Sequence, residues 1–97
     1  MTKESIIELL KIRLGIMTDT RDFYLQHIVD GTIKMLSDEQ KIEVDFSNDH
    51  MTGFIVNYSA WIYASKGEQA GMPRHLQFAL HNLVLHNRKA EVVEPDV

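Results

Sequence analysis

The histidines are the residues whose chemistry is easiest to test from spacing. Five occur in the 97-residue chain, which has no cysteine. His75, His81 and His86 form the closest set, six and five positions apart on a predicted helix. Metal ligands on one helix normally lie three or four positions apart on the same face. This spacing therefore predicts partly exposed histidines, with no metal and no cofactor bound.

A second candidate for chemistry is the pair His27 and Asp30, three positions apart on a predicted helix. Such a pair could act as a hydrogen-bonded general base, but no serine or cysteine nucleophile follows in a recognisable motif. Phosphate-binding glycine loops, dinucleotide fingerprints and paired-carboxylate motifs do not occur in the sequence either. We therefore expect a surface pair, no catalytic residue and a protein that is not an enzyme.

Charge and composition limit the classes of partner. The chain carries 10 basic and 14 acidic residues, a net charge of -4, and the basic residues are scattered. Nucleic-acid binders usually concentrate positive charge on one face. No apolar run approaches the roughly 18 residues of a membrane-spanning helix, and Glu4 and Glu8 interrupt the region where a signal peptide would be apolar. We expect one soluble, cytoplasmic domain that binds neither a membrane nor a specific nucleic-acid sequence.

Four segments have the periodicity of amphipathic helices. They cover residues 3–14, 21–37, about 49–65 and 73–87. Gly15 can supply a left-handed stop after the first helix. Thr18 or Asp19 can cap the second helix, and one of residues 47–49 can cap the third. The pattern predicts an all-α fold, a small four-helix bundle within residues 1–89.

Residues 41–46, between the second and third helices, alternate polar and apolar side chains with a period of two. Such alternation is typical of a half-buried strand, but the chain offers it no obvious partner. The segment is then either an extended loop that packs Ile42, Val44 and Phe46 onto the helices or an edge strand open to another chain. We favour the loop, because short alternations arise easily by chance.

The third and fourth helices are each apolar on two faces, at about 100° per residue. The faces turned away from the predicted core carry Val56, Ala60 and Tyr63 on the third helix, and Phe78 and Leu85 on the fourth. Small domains bury only about 60 to 65% of their unfolded surface, too little to cover both faces of two helices. We therefore expect Val56, Tyr63, Phe78 and Leu85 to contact another chain.

Two further regions are candidates for partner contact. Phe23 lies on the otherwise polar back of the second helix, where it either anchors a partner or folds over the preceding loop. Residues 90–97 have no helical period and are predicted to form a flexible acidic tail. Within the tail, Glu91, Val92 and Val93 are expected to become ordered only against a neighbour.

The order and spacing of three degenerate motifs resemble the head-tail connector proteins of long-tailed bacteriophages, which also occur as prophage genes. The first motif is an amphipathic helix that ends in Leu-Gly-Ile, the second a helix after an acidic loop, and the third an aromatic helix end followed by a proline-started helix. The residues that carry them are Ile7, Leu10, Leu14, Gly15 and Ile16; Asp22, Leu25, Ile28, Val29 and Thr32; and Tyr58, Ile62, Tyr63, Lys66, Gly67, Met72, Pro73 and Leu76.

This resemblance implies a structural protein of the phage neck. Connectors of this kind are helical bundles that form a homo-oligomeric ring, of about twelve subunits, beneath the portal of the DNA-filled head. The implied partners are other copies of the chain, the portal protein and a downstream neck or tail protein. The implied location is the neck of the virion, and the bacterial host cytoplasm during assembly.

An alternative from another class is a small helical regulatory or nucleic-acid-binding protein. A helix-turn-helix of that class needs a short turn and a basic recognition helix. The fourth helix carries basic residues only at its ends, Arg74 at the start and Arg88 with Lys89 at the close. The connector hypothesis is therefore preferred, since a ring subunit needs two different adhesive patches and no basic helix.

Overall fold

The computed structural model describes residues 2–65 and 71–87, in which the chain forms four α-helices. These are α1 (Lys3–Leu14), α2 (Asp22–Lys34), α3 (Asp49–Ser65) and α4 (Arg74–Asn87). Lys3 of α1 pairs with Asp30 of α2, Arg21 before α2 bonds to Tyr63 near the end of α3, and Asn48 before α3 lies beside Asn87 of α4. Each pair of successive helices is therefore antiparallel. The predicted all-α four-helix bundle is confirmed. The predicted tail, residues 90–97, lies outside the described residues.

The bounds of α1 follow from its two caps. The Thr2 hydroxyl accepts a hydrogen bond from the Ser5 amide at 3.1 Å and satisfies one free donor of the first turn. Gly15 has φ 74°, and its amide bonds to the Ile12 carbonyl at 3.2 Å. Glycine adopts this left-handed conformation without the steric cost of a side chain. The predicted stop at Gly15 is confirmed.

The predicted caps of α2 are wrong. Arg21 occupies the cap position of α2 and makes no side-chain capping bond. Asp19 is instead engaged by Lys11, whose ammonium group lies 2.8 Å from its carboxylate. A buried lysine is a stronger competitor for a carboxylate than a helix amide, because a desolvated charge must be paired. Thr18 lies beside Thr20, 3.1 Å away through their hydroxyl groups.

The end of α2 also differs from the prediction of a regular helix to residue 37. Residues Met35–Glu39 form a π-helical turn, in which the Gln40 amide donates a hydrogen bond to the Met35 carbonyl at 3.2 Å. Such wider turns insert one extra residue into a helix. The turn holds the side chain of Leu36 fully buried in the core.

The connection to α3 is the extended loop that we favoured, and it forms no strand element among the described residues. Lys41 has φ 59°, which turns the chain away from α2. Ile42 is fully buried, while Val44 and Phe46 are half-buried and pack against the core. Of the three proposed caps for α3, Asn48 is the one used, because its side-chain oxygen accepts the Met51 amide at 3.2 Å.

Helix α3 is the central element of the bundle, and this corrects the two-face prediction for it. It contacts α1, α2 and α4, whereas α4 contacts no other helix in the described part of the chain. Val56 and Ala60 are therefore only 9% and 7% exposed, and both belong to the core. Its second apolar face is covered within the chain, because α1 and α2 both pack on α3 in addition to α4.

A hydroxyl pair joins α2 and α3 inside the apolar core. Thr32 donates a hydrogen bond to the Ile28 carbonyl at 3.0 Å, and its Oγ1 lies 3.3 Å from the Ser59 hydroxyl oxygen. Both residues are buried. Buried polar groups are costly unless they are hydrogen-bonded, so this pair also fixes the register of the two helices.

Candidate partner interface

The residues considered first for chemistry do not gather into a site. His75, His81 and His86 are all exposed on α4. Among residues 2–65 and 71–87, no three histidine, aspartate or glutamate side chains group as ligands for a metal ion. His27 and Asp30 both lie on the surface, and Asp30 is 3.0 Å from the Lys3 ammonium group, an ion pair that links α2 to α1.

One cavity of about 520 Å³ lies where the start of α3 meets the end of α4. Its polar lining is Asn48, His50, Asn82, His86 and Asn87. Amide and imidazole groups can donate and accept hydrogen bonds. The described residues that line it include neither a carboxylate nor a hydroxyl group, so the cavity presents no obvious nucleophile.

The outer face of α4 carries two exposed apolar side chains. Phe78 is 62% exposed and Leu85 is 64% exposed, so the described residues do not cover the back of this helix. Its other face supplies Leu76 and Leu83 to the core. Phe78 and Leu85 are seven positions apart, or about two turns and 10.5 Å along the helix. We call Phe78 and Leu85, with His81 between them, the α4 ridge.

A second apolar surface lies between α1 and α3, and the sequence analysis missed it. Leu9 is 41% exposed and Ile12 is 74% exposed. With Gly53 and Val56 they line an open groove of about 510 Å³, which we call the α1–α3 groove. Leu9 and Ile12 lie outside the arc of α1 that faces the core. Their angular positions on the helix could have indicated this second surface from the sequence.

Val56 thus has a different place from the one predicted for it. It belongs to the core and also lines the α1–α3 groove, with little of its side chain exposed. Gly53 lies one turn before it on α3, and a Cβ built on Gly53 would meet nothing within 4 Å. The groove is therefore open above Gly53.

Charged residues lie at both ends of the groove, and one of them is hydrogen-bonded. The guanidinium group of Arg13 donates a hydrogen bond to the Asn57 side-chain oxygen at one end of the groove. Asp49, the first residue of α3, lies at the other end. Glu8 is exposed one turn before Ile12 on the same face of α1. The groove accordingly has one carboxylate at one end and one arginine at the other.

A third apolar surface lies where α2 begins. Phe23 is 87% exposed, so it does not fold over the preceding loop, and Met17 and Tyr24 are exposed beside it in sequence. We call Met17, Phe23 and Tyr24 the α2 patch. Tyr63, predicted to contact a partner, is half-buried, with its ring centre 5.9 Å from that of Tyr24. Its hydroxyl group accepts a hydrogen bond from Arg21.

Lys11 anchors the loop and the first residue of α2, next to the α2 patch. Its ammonium group lies 2.8 Å from Asp19 and 2.9 Å from Asp22, and its side chain is buried. The hydrogen bonds to Asp19 and then to Asp22 hold the pKa of Lys11 above its usual range. The hydrogen bond from Lys11 lowers the pKa of Asp19 below its usual range. This cluster ties α1 to the start of α2.

The remaining predicted contact residues, Glu91, Val92 and Val93, lie outside the described residues. In the part of the chain that the structure describes, no helix is long and apolar enough to cross a membrane. No protein-family model matches the chain, and no curated protein or solved structure gives a significant match.

Proposed function

We propose that this chain is a structural subunit of a bacteriophage neck, where it forms a ring that joins the portal of the DNA-filled head to the tail or to the next neck protein. The observation that best supports this proposal is the α4 ridge. One face of α4 supplies the core, while Phe78 and Leu85 on the other face remain largely exposed. Exposed apolar residues in such an array are typical of protein contacts.

A ring also requires that each subunit carry two different adhesive surfaces, because cyclic contacts are heterologous. The α4 ridge and the α1–α3 groove meet this requirement. They lie on helices that do not contact each other in the described residues, since both α1 and α4 pack on α3. One copy can therefore use both surfaces at once with two neighbours.

The α2 patch gives the proposed subunit a third surface for a different partner. Phe23 and Met17 are the most exposed large apolar side chains among the described residues, and they lie near the end of the bundle where α1 stops and α2 starts. In the proposed ring this surface contacts the portal or the next neck protein. The protein then resides in the virion neck, and in the bacterial host cytoplasm during assembly.

The regulatory or nucleic-acid-binding alternative fits α4 less well. A recognition helix presents polar and basic side chains to base edges and phosphates. The exposed face of α4 instead has Phe78 and Leu85 at positions where such a helix would carry those groups. Normal virions formed in the absence of the protein would favour this alternative.

The test is complementation of a phage that lacks the gene, with Phe78→Ser as the variant. Losing an interface aromatic removes roughly 2 kcal/mol or more per contact, and a ring repeats that loss at every interface. We expect electron micrographs of DNA-filled heads without tails, or of heads that have lost their DNA. The wild-type chain should restore tailed, infectious particles.

Lys34→Ser is the matched control, because Lys34 is exposed on α2, which does not contact α4. It should restore infectivity like the wild-type chain. Circular dichroism and thermal unfolding of Phe78→Ser should match the wild type, since Phe78 is mostly exposed. Normal tailed particles in the complete absence of the protein contradict the proposed function.

A further inference from the structure

We infer that the α4 ridge of one copy docks into the α1–α3 groove of a second copy, in a head-to-tail contact. This inference rests on the proposed function and deepens it, because it names both surfaces of the contact between subunits.

The shapes are those of a helix and a groove. The ridge presents two large apolar side chains, Phe78 and Leu85, about 10.5 Å apart along α4. The groove runs between α1 and α3, has a volume of about 510 Å³, and is bordered by the exposed side chains of Leu9 and Ile12. Amphipathic helices commonly bind by placing such spaced residues into an apolar groove between two helices.

Gly53 makes the groove accessible to a helix. A Cβ built on Gly53 would meet nothing within 4 Å, so the space above this residue is open. A glycine in a helix interior lowers stability relative to alanine by about 0.5–1 kcal/mol. Close approach of a docking helix supplies a reason for glycine here, because the packing distance of two helices depends on the side chains at their contact.

The charges of the two surfaces are complementary. Within its described length α4 carries Arg74 and three histidines and has no acidic residue, although the chain has a net charge of -4. The groove has Asp49 at one end and Arg13, which is hydrogen-bonded to Asn57, at the other. Opposite charges at the rim favour the docked register. Pairing of α4 with another α4 would offer Arg74 no carboxylate within the described length of that helix.

The positions of the two surfaces exclude docking within one copy. Both α1 and α4 pack on α3, and they do not contact each other in the described residues. Each copy that docks its ridge into a neighbour still has a free groove. Repetition of such a contact gives a closed ring where the rotation between copies closes, and an open filament where it does not.

Site-specific cross-linking tests the contact in a chain that has no native cysteine. The full chain is prepared as Asn82→Cys, beside the ridge, and as Glu8→Cys, exposed on α1 one turn before Ile12, so that Phe78, Leu85, Leu9, Ile12 and Gly53 remain. Millimolar protein is treated briefly with a bismaleimide. We expect the equimolar mixture to give at least about tenfold more covalent dimer than either variant alone, which corresponds to about 1.4 kcal/mol of preference for the mixed pair. The double variant should give a ladder beyond dimer.

Further substitutions connect the cross-link to the apolar side chains. Adding Phe78→Ser to Asn82→Cys should reduce the mixed dimer about tenfold, whereas adding Lys34→Ser should leave it unchanged. Equal yields from the mixture and from each variant alone overturn the inference. A preferred dimer of Asn82→Cys alone also overturns it, since this product indicates pairing of two α4 helices.

The cross-linking result and the complementation result test the subunit contact and the proposed function separately. A specific mixed dimer together with normal virions in the absence of the gene leaves this contact standing and removes the neck role. Tailless particles without the protein, combined with no specific mixed dimer, support the neck role and overturn this contact. Only positive results in both experiments support the two proposals together.

Discussion

Lys11 shows how a single buried charge organises the start of α2. Its side chain is buried, and its ammonium group contacts Asp19 and Asp22. Neither partner was predicted, because Asp19 is eight positions away and the pairing depends on how α1 packs. Gly15 and Asn48 were predicted as a stop and a cap, since those roles depend only on neighbours within one turn.

The Lys11 cluster should make stability depend on pH in a defined direction. The lowered pKa of Asp19 contributes stability above its unfolded value near 3.9, and this contribution is lost as the pH falls through the folded pKa. The raised pKa of Lys11 contributes stability below about 10.4, lost as the pH rises through the folded pKa. The cluster is therefore complete between about pH 5 and pH 9.

Replacing Lys11 by methionine should remove that dependence while preserving the apolar stem of the side chain. We expect the free energy of unfolding, measured by urea titration with circular dichroism, to fall less steeply between about pH 5 and pH 3 in Lys11→Met than in the wild type. Lys34→Met, at an exposed position, should keep the wild-type slope. Identical slopes for all three proteins contradict this role of Lys11.

The Thr32 and Ser59 hydroxyl groups offer a second test at the scale of residues. Thr32→Val keeps the volume but removes the oxygen that lies 3.3 Å from Ser59, and we expect a loss of about 1 kcal/mol of stability. Ser59→Ala in the Thr32→Val background should cost less than Ser59→Ala alone, because the partner is already gone. Additive losses in urea unfolding would show that the two hydroxyl groups act independently.

At the scale of elements, periodicity predicted all four helices, while the packing partners of each helix had to come from the structure. The amphipathic stripes placed α1 and α4 within a residue of their observed bounds. No periodic pattern in the sequence predicts the π-helical turn after α2. The turn accompanies the burial of Leu36, which depends on how the helices pack. Val56 was misplaced because periodicity counts apolar faces and does not reveal how many neighbours a helix has.

Two glycines, Gly31 within α2 and Gly15 at the end of α1, should respond oppositely to alanine. A Cβ on Gly31, within α2, would meet nothing within 4 Å, so Gly31→Ala should raise the free energy of unfolding by about 0.5–1 kcal/mol. Gly15 has φ 74°, which strains any side chain, so Gly15→Ala should lower it. Urea unfolding of both variants checks this pair, and a loss of stability in Gly31→Ala contradicts the open space described there.

At the scale of the whole molecule, half of the proposed subunit contact could be predicted from the sequence. Phe78 and Leu85 were found because they repeat on the back of a helix whose front stripe is complete. Leu9 and Ile12 were missed because the groove exists only where α1 and α3 lie side by side. A helix can reveal its own second face in its sequence, whereas a groove belongs to two segments that are distant along the chain.

The position of α4 at the side of the bundle has a consequence for local opening. Because α4 packs on α3 alone among the helices described, it can detach without disturbing the contacts that α1 and α2 make with α3. Elements with fewer buried contacts open at lower free energy. Amide hydrogens of Arg74–Asn87 should therefore exchange faster than those in the middle of α3. A neighbour that covers the outer face would bind only the closed form and slow this exchange, so exchange rates would report assembly helix by helix.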